Sequence, residues 1–163
     1  MKHLFIFPLI LLACSKNDQA PVKKVSQEQI LQLVTFSLQK IEWNADSLLT
    51  ADFNGDNVTD YAIFGQGEKR LYIAVVIGPF SKQSRVVTIN FGFSGNNQDD
   101  LCAGDYKLAL ESLDYDPVEV LGQELPGFKR SQKSQGITVG GDMCDKIHLF
   151  WNHTRNELGW WRL

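Results

Sequence analysis

Seven consecutive apolar or aromatic residues, Leu71 to Ile77, stop abruptly at Gly78-Pro79. A run this short, rich in Val and Ile and closed by turn residues, reads as a central strand buried on both faces. The residues around it carry strand signals as well. Arg85 to Phe91 alternates, with Val87, Ile89 and Phe91 on one side and Val86, Thr88 and Asn90 on the other. Tyr106 to Leu113 reads as the next strand. Ile147–Trp151 and Leu158–Leu163 are apolar runs separated by the polar stretch 152–157, the pattern of a C-terminal hairpin. Gly, Asn and Ser crowd the stretch 92–104, which reads as a long surface loop containing Cys102. Helical spacing occurs once, where Ile30, Leu31, Val34, Leu38 and Ile41 follow a Ser26/Gln29 capping-box pair. This predicts an amphipathic helix over 27–41 whose apolar face lies on a sheet. Many short strands and one helix give a mainly β (α+β) class: an antiparallel sheet, or a small sandwich or barrel-like domain, with one N-terminal amphipathic helix.

The chain begins differently. Met1-Lys2-His3 is a small basic segment, Leu4 to Leu12 is nearly all apolar, and Ala13-Cys14 closes the run, which is too short to span a bilayer. Leu11-Leu12-Ala13-Cys14 resembles the lipobox of bacterial lipoprotein precursors. That resemblance implies a signal peptide over 1–13, lipidation of the Cys14 thiol and a mature protein that starts there. Ser15 after the cysteine, in place of the Asp common in inner-membrane lipoproteins, implies the outer membrane, periplasmic side. The polar stretch 14–25, with Pro21, reads as a flexible tether, and 26–163 as a single domain. The net charge of −3 comes from interspersed acids and bases. With no Lys/Arg stripe and interleaved aromatics, nucleic acid is excluded as a partner.

Once Cys14 is assigned to lipid, Cys102 and Cys144 are left with each other in an oxidising compartment, and a disulfide between them is expected. A redox or metal pair would call for a C-x-x-C spacing or nearby ligand histidines, and the sequence has neither.

The sharpest chemistry lies in Asp52-Phe53-Asn54-Gly55-Asp56-Asn57-Val58-Thr59-Asp60, with oxygen-bearing residues at alternate positions. Ligands at positions one, three, five and nine, plus a carbonyl at seven, suit a hard cation that takes several oxygens. Asp52, Asn54, Asp56 and Asp60 would supply side chains and Val58 its carbonyl. With the following Tyr61-Ala62-Ile63-Phe64-Gly65, the segment resembles the calcium loop of FG-GAP and VCBS repeats. The resemblance implies a calcium ion, here a structural staple. It departs at Asn57, where Gly is usual, and at Ile63, where a full EF-hand has a bidentate Glu, so a weak site is expected. The same residues also suit a polar turn without an ion.

No sequence pattern sets a nucleophile beside a His and an acid, so a non-catalytic module is expected. His148 and His153 flank a strand and its turn without a third ligand. Trp160, Trp161 and Arg162 combine core aromatics with the composition of an interface hot spot, and both roles stay open. The functional expectation is a lipid-anchored periplasmic module that binds another macromolecule. One alternative, from a resemblance to periplasmic lysozyme-inhibitor and immunity lipoproteins, is an inhibitor of a peptidoglycan hydrolase, with that glycan hydrolase as its protein partner. A calcium-dependent periplasmic hydrolase is the other.

Overall fold

The computed structural model describes residues 24–93, 100–102, 106–141 and 145–163. Helix α1 (Gln27–Ser37) starts at the expected cap: Ser26 Oγ accepts from the Gln29 amide at 3.2 Å, and the Gln29 side chain accepts from the Ser26 amide at 2.9 Å. It ends four residues before the expected Ile41. Leu38 has left helical geometry and Lys40 turns the chain at φ 73°. The physical reason lies in the sheet. Gly65 and Gly67 leave gaps that Ile41 fills, since a Cβ on either would stand within 2.6 Å of its side chain.

Strands β1 (Glu42–Trp43) and β2 (Leu49–Ala51), joined by a single 3-10 turn, pair in succession along β3 (Asp60–Gly67). β3 pairs with β4 (Arg70–Val76), and β4 with β5 (Val86–Gly92). The second sheet is a meander of β6 (Lys107–Leu113), β7 (Ser131–Gly140), β8 (Ile147–Asn152) and β9 (Glu157–Trp161). A short helix, α2 (Pro117–Leu121), lies in the β6–β7 connection. All these strand pairs are antiparallel, and the two sheets form a small sandwich that does not close into a barrel.

Burial follows the alternation. Ala62, Phe64, Leu71, Ile73, Val75, Val87 and Phe91 of the first sheet meet Ile137, Val139, Ile147, Leu149, Trp151 and Leu158 of the second. On the outer side of the first sheet, Ile63, Ala74 and Val76 lie under Ile30 and Val34 of α1. β4 is therefore buried on both faces, as its continuous apolar run requires. The outer side of the second sheet carries Leu113, Phe150 and Trp161, covered by Tyr115, Leu121, Leu125 and Phe128 from the β6–β7 connection. Each fully buried aliphatic or aromatic side chain contributes about 1.5–3 kcal/mol.

The described part of the 92–104 stretch is not surface. Asp100 bridges Gly92, and Leu101 is 2 % exposed within the central core. Burial of the Leu101 side chain in that core outweighs the polar, Gly-rich character of its stretch.

Candidate functional site

The loop from Asp52 to Asp60 leaves the end of β2 and returns as β3, with Phe53 buried in the core at 2 % exposure as its anchor. Asp52 organises its backbone. Oδ1 accepts from the amides of Gly55 (2.7 Å) and Asp56 (3.2 Å), and Oδ2 from that of Asn57 (2.9 Å). Two Asx turns follow: Asn54 Oδ1 accepts from the Asp56 amide, and Asp56 Oδ1 from that of Val58. The Asn54 amide group also donates to Asp56 Oδ2 at 2.9 Å. Asn57 adopts φ 64°, the left-handed conformation that calcium loops ordinarily give to Gly at this sixth position.

Asp60 has a different task. It is fully buried; Oδ2 accepts from the amides of Phe53 (2.9 Å) and Asn54 (3.3 Å), and Oδ1 from that of Gly78 (2.8 Å). One carboxylate thus joins both ends of the loop to the turn between β4 and β5. Gly78 is needed for this approach, because a Cβ there would collide with the carbonyl oxygen of Thr59. Burial raises the Asp60 carboxyl above the usual carboxylate range, the three amides pull it back, and Asp56 adds to the rise.

The loop also touches the second sheet. The Asp52 carbonyl accepts from the Gln135 amide of β7 at 2.9 Å. His153, in the β8–β9 turn, stands next to Gly55. Burial and then Lys129 lower its pKa, with Asp52 opposing. Asn152 shapes that turn: its Oδ1 accepts from the amides of Thr154 and Arg155.

The donor set suits a hard cation. Asp52 and Asp56 carry two oxygens each, every oxygen has two lone pairs, and hydrogen bonding to amides leaves some of these for an ion. Among the described residues, no three His, Cys, Asp or Glu side chains group as a cation cage. An ion here would rely on Asn54 and the Val58 carbonyl beside the two carboxylates.

The C-terminal aromatics sit elsewhere. Trp160 packs against the central core, edge to face with Phe91 at 5.9 Å. Trp161 points to the opposite side and is 7 % exposed. Its indole donates to Tyr115 Oη at 3.0 Å and stacks on the His148 ring at 3.8 Å with an interplanar angle of 5°. Glu111 Oε1 holds His148 Nδ1 at 2.7 Å. Arg162 donates to the Asp100 carbonyl at 2.7 Å. The three residues thus fasten the last strand to both cores and to the Asp100–Cys102 segment. Glu111 and Tyr115 carried no signal of this role, because their partners on β8 and β9 are distant in sequence.

Cys102 is disulfide-bonded; its expected partner Cys144, like the lipidation candidate Cys14, lies outside the described residues. Among the described residues no helix is long and apolar enough to cross a membrane. No protein-family model matches the chain, and neither a curated protein nor a solved structure is significantly similar to it.

Proposed function

We propose that the chain is a lipoprotein of the bacterial outer membrane, held on the periplasmic side through Cys14. Its sandwich domain is a non-catalytic module that binds another macromolecule, with a structural calcium ion in the Asp52–Asp60 loop. The lipobox sequence supports the address. The observation that carries the rest is the construction of the loop: Asp52 gathers three successive amides, Asp60 ties both loop ends to the Gly78 turn, and the whole stands on a packed core. A loop preorganised on a rigid scaffold is where binding surfaces are built.

Asp52, Asn54 and Asp56 would hold the ion through side-chain oxygens and Val58 through its carbonyl, while Asp60 fastens the loop from beneath. The ion would neutralise acids packed at alternate positions and stiffen the loop. His148 and Glu111 support the non-catalytic reading, since stacking on Trp161 and their mutual bond give them a structural role. Calorimetric titration with Ca²⁺ tests the staple. The expected Kd is about 10⁻⁴ to 10⁻³ M, as in extracellular modules, weakened about tenfold or more by Asp56→Asn. Absence of saturable binding at millimolar Ca²⁺ would remove calcium from the account.

A further inference from the structure

Helix α1 turns Ile30 and Val34 into the first sheet, yet Phe36 points the other way and is 82 % exposed, the most exposed large apolar side chain among the described residues. It has company. Phe36 and Leu33 line an open groove of about 380 Å³ together with Gln29, Gln32, Phe80 and Lys82 of the β4–β5 connection. The flanking polar residues of the helix surface are mostly uncharged: Gln29, Gln32, Thr35 and Gln39, with Glu28 the acid on that side. Lys24, Lys40 and Lys82 supply cations before the helix, after it and across the groove. An exposed Phe with half-buried apolar neighbours, a neutral polar flank and a lysine across the groove is the composition of a surface that sits at a lipid interface.

The position of the anchor selects the same surface. The described chain begins at Lys24, two residues before the Ser26 cap, and only nine residues lie between it and Cys14. Fully extended, that segment reaches at most about 35 Å. Such a tether keeps α1 near the bilayer at high local concentration, so even a weak apolar contact is occupied much of the time. The α1 layer lies outside the first sheet, and the second sheet lies on the other side of the core. Layers pack about 10 Å apart, so the outer face of the second sheet would then stand about 20 Å or more from α1.

We infer that the outer face of α1, centred on Phe36 with Leu33 and Phe80 beside it, docks on the lipid surface that holds Cys14, with Lys24, Lys40 and Lys82 toward anionic head groups. The inference rests on the lipoprotein reading. It fixes an orientation, because the α1 side faces lipid and the second sheet faces the periplasmic space.

The test places the photoreactive analogue p-benzoylphenylalanine at position 36 of the full chain. The chain is reconstituted with vesicles of phosphatidylethanolamine and phosphatidylglycerol, irradiated, and adducts are read by intact mass. The same analogue at Lys133, exposed on β7 of the other sheet, is the control. Phospholipid adducts at position 36 about tenfold above the control are expected, since only that site meets the interface. The adduct should fall when Lys40 and Lys82 are both changed to Gln. Equal lipid labelling at both positions, a crosslink to a second copy or to another protein, or no adduct on a chain whose mass shows the acylated Cys14 would overturn the docking. A mass without an acyl group on Cys14 would overturn the lipoprotein reading itself, whatever position 36 does.

Discussion

Two connections of the sandwich are each organised by an aspartate, and in opposite ways. Asp60 closes the 52–60 loop from inside, fully buried, with three backbone amides as its donors. Asp114 opens the strap that covers the second sheet and meets Arg130 Nε at 2.6 Å and Gln132 Nε2 at 3.0 Å near the surface. Burial raises the first carboxyl above its usual range, whereas hydrogen bonds from Arg130 and Gln132 lower the second. The difference shows where an acid determines structure. The acceptor that Asp60 offers its amides is fully buried, while the partners of Asp114 can turn to water.

The largest effect should come from breaking the buried side of this comparison. Asp60→Ala leaves three amides without their acceptor and opens a cavity in the loop's base, and should cost about 3–5 kcal/mol in a denaturant titration. Gly78→Ala should act on the same contact, because its Cβ would meet the Thr59 backbone. A cost below about 1 kcal/mol for Asp60→Ala would mean that the loop does not depend on it.

On the strap side, packing should matter more than charge. Tyr115→Phe removes the acceptor of the buried Trp161 indole and should cost about 1–2 kcal/mol, read as a lower Tm with the fold retained. Asp114→Asn, which breaks an exposed ion pair, should move Tm far less than either. If it moved Tm more than Tyr115→Phe, the strap would be held by charge instead of by its aromatic cluster.

Acidity separates the two aspartates by sign. A carboxyl with a raised folded pKa contributes stability that is present below its unfolded value, near 3.8, and is lost as pH rises through the folded value. The stability gap between wild type and Asp60→Asn should therefore widen as pH is lowered from 7 toward 4. Asp114 has a lowered folded pKa, so its contribution is present above 3.8 and fades as pH falls through the folded value. The gap between wild type and Asp114→Asn should narrow in acid. Chemical denaturation of both variants across this range, with chelator present, checks the two signs. The smallest effect is expected at Asn57, where Gly would relieve a left-handed backbone and change stability by only a few tenths of a kcal/mol.

The sequence marks β4 and β5 of the first sheet and β6, β8 and β9 of the second, and leaves the short β1 and β2 and the long β7 unmarked. β4 and β5 carry continuous or alternating apolar runs, and the capping box placed the start of α1 at its observed residue. β7 is hard to read because its first half, Ser131 to Gln135, is polar: it spans the register shift of the β6 pairing, with Gln135 opposite Ser112 and Ser131 opposite Leu113, and Gln135 also bonds the Asp52 carbonyl. α2 is illegible for a different reason. Its signals are sound, with Asp116 as cap, Pro117 in the first turn and Gly122 left-handed at the end, but five residues show no apolar period. In the candidate site, the alternation of oxygen-bearing residues was legible, and so was the awkward place of Asn57. The inward turn of Asp60 was not, because its third donor, Gly78, is eighteen residues away on another turn. The stacking of His148 on Trp161 likewise depends on the β8–β9 register, which no local pattern specifies.

Thermal unfolding of the full chain with Ca²⁺ and with chelator, at constant ionic strength, tests the central claim most directly. A ligand that binds only the folded state at about ten to a hundred times its Kd adds about 1.4–2.7 kcal/mol, so Tm should rise by several degrees at 10 mM Ca²⁺. Mg²⁺ should reproduce little of the rise, and Asp52→Asn with Asp56→Asn should abolish it. An unchanged Tm in Ca²⁺, or an equal rise in the double variant, would contradict a calcium staple in the Asp52–Asp60 loop.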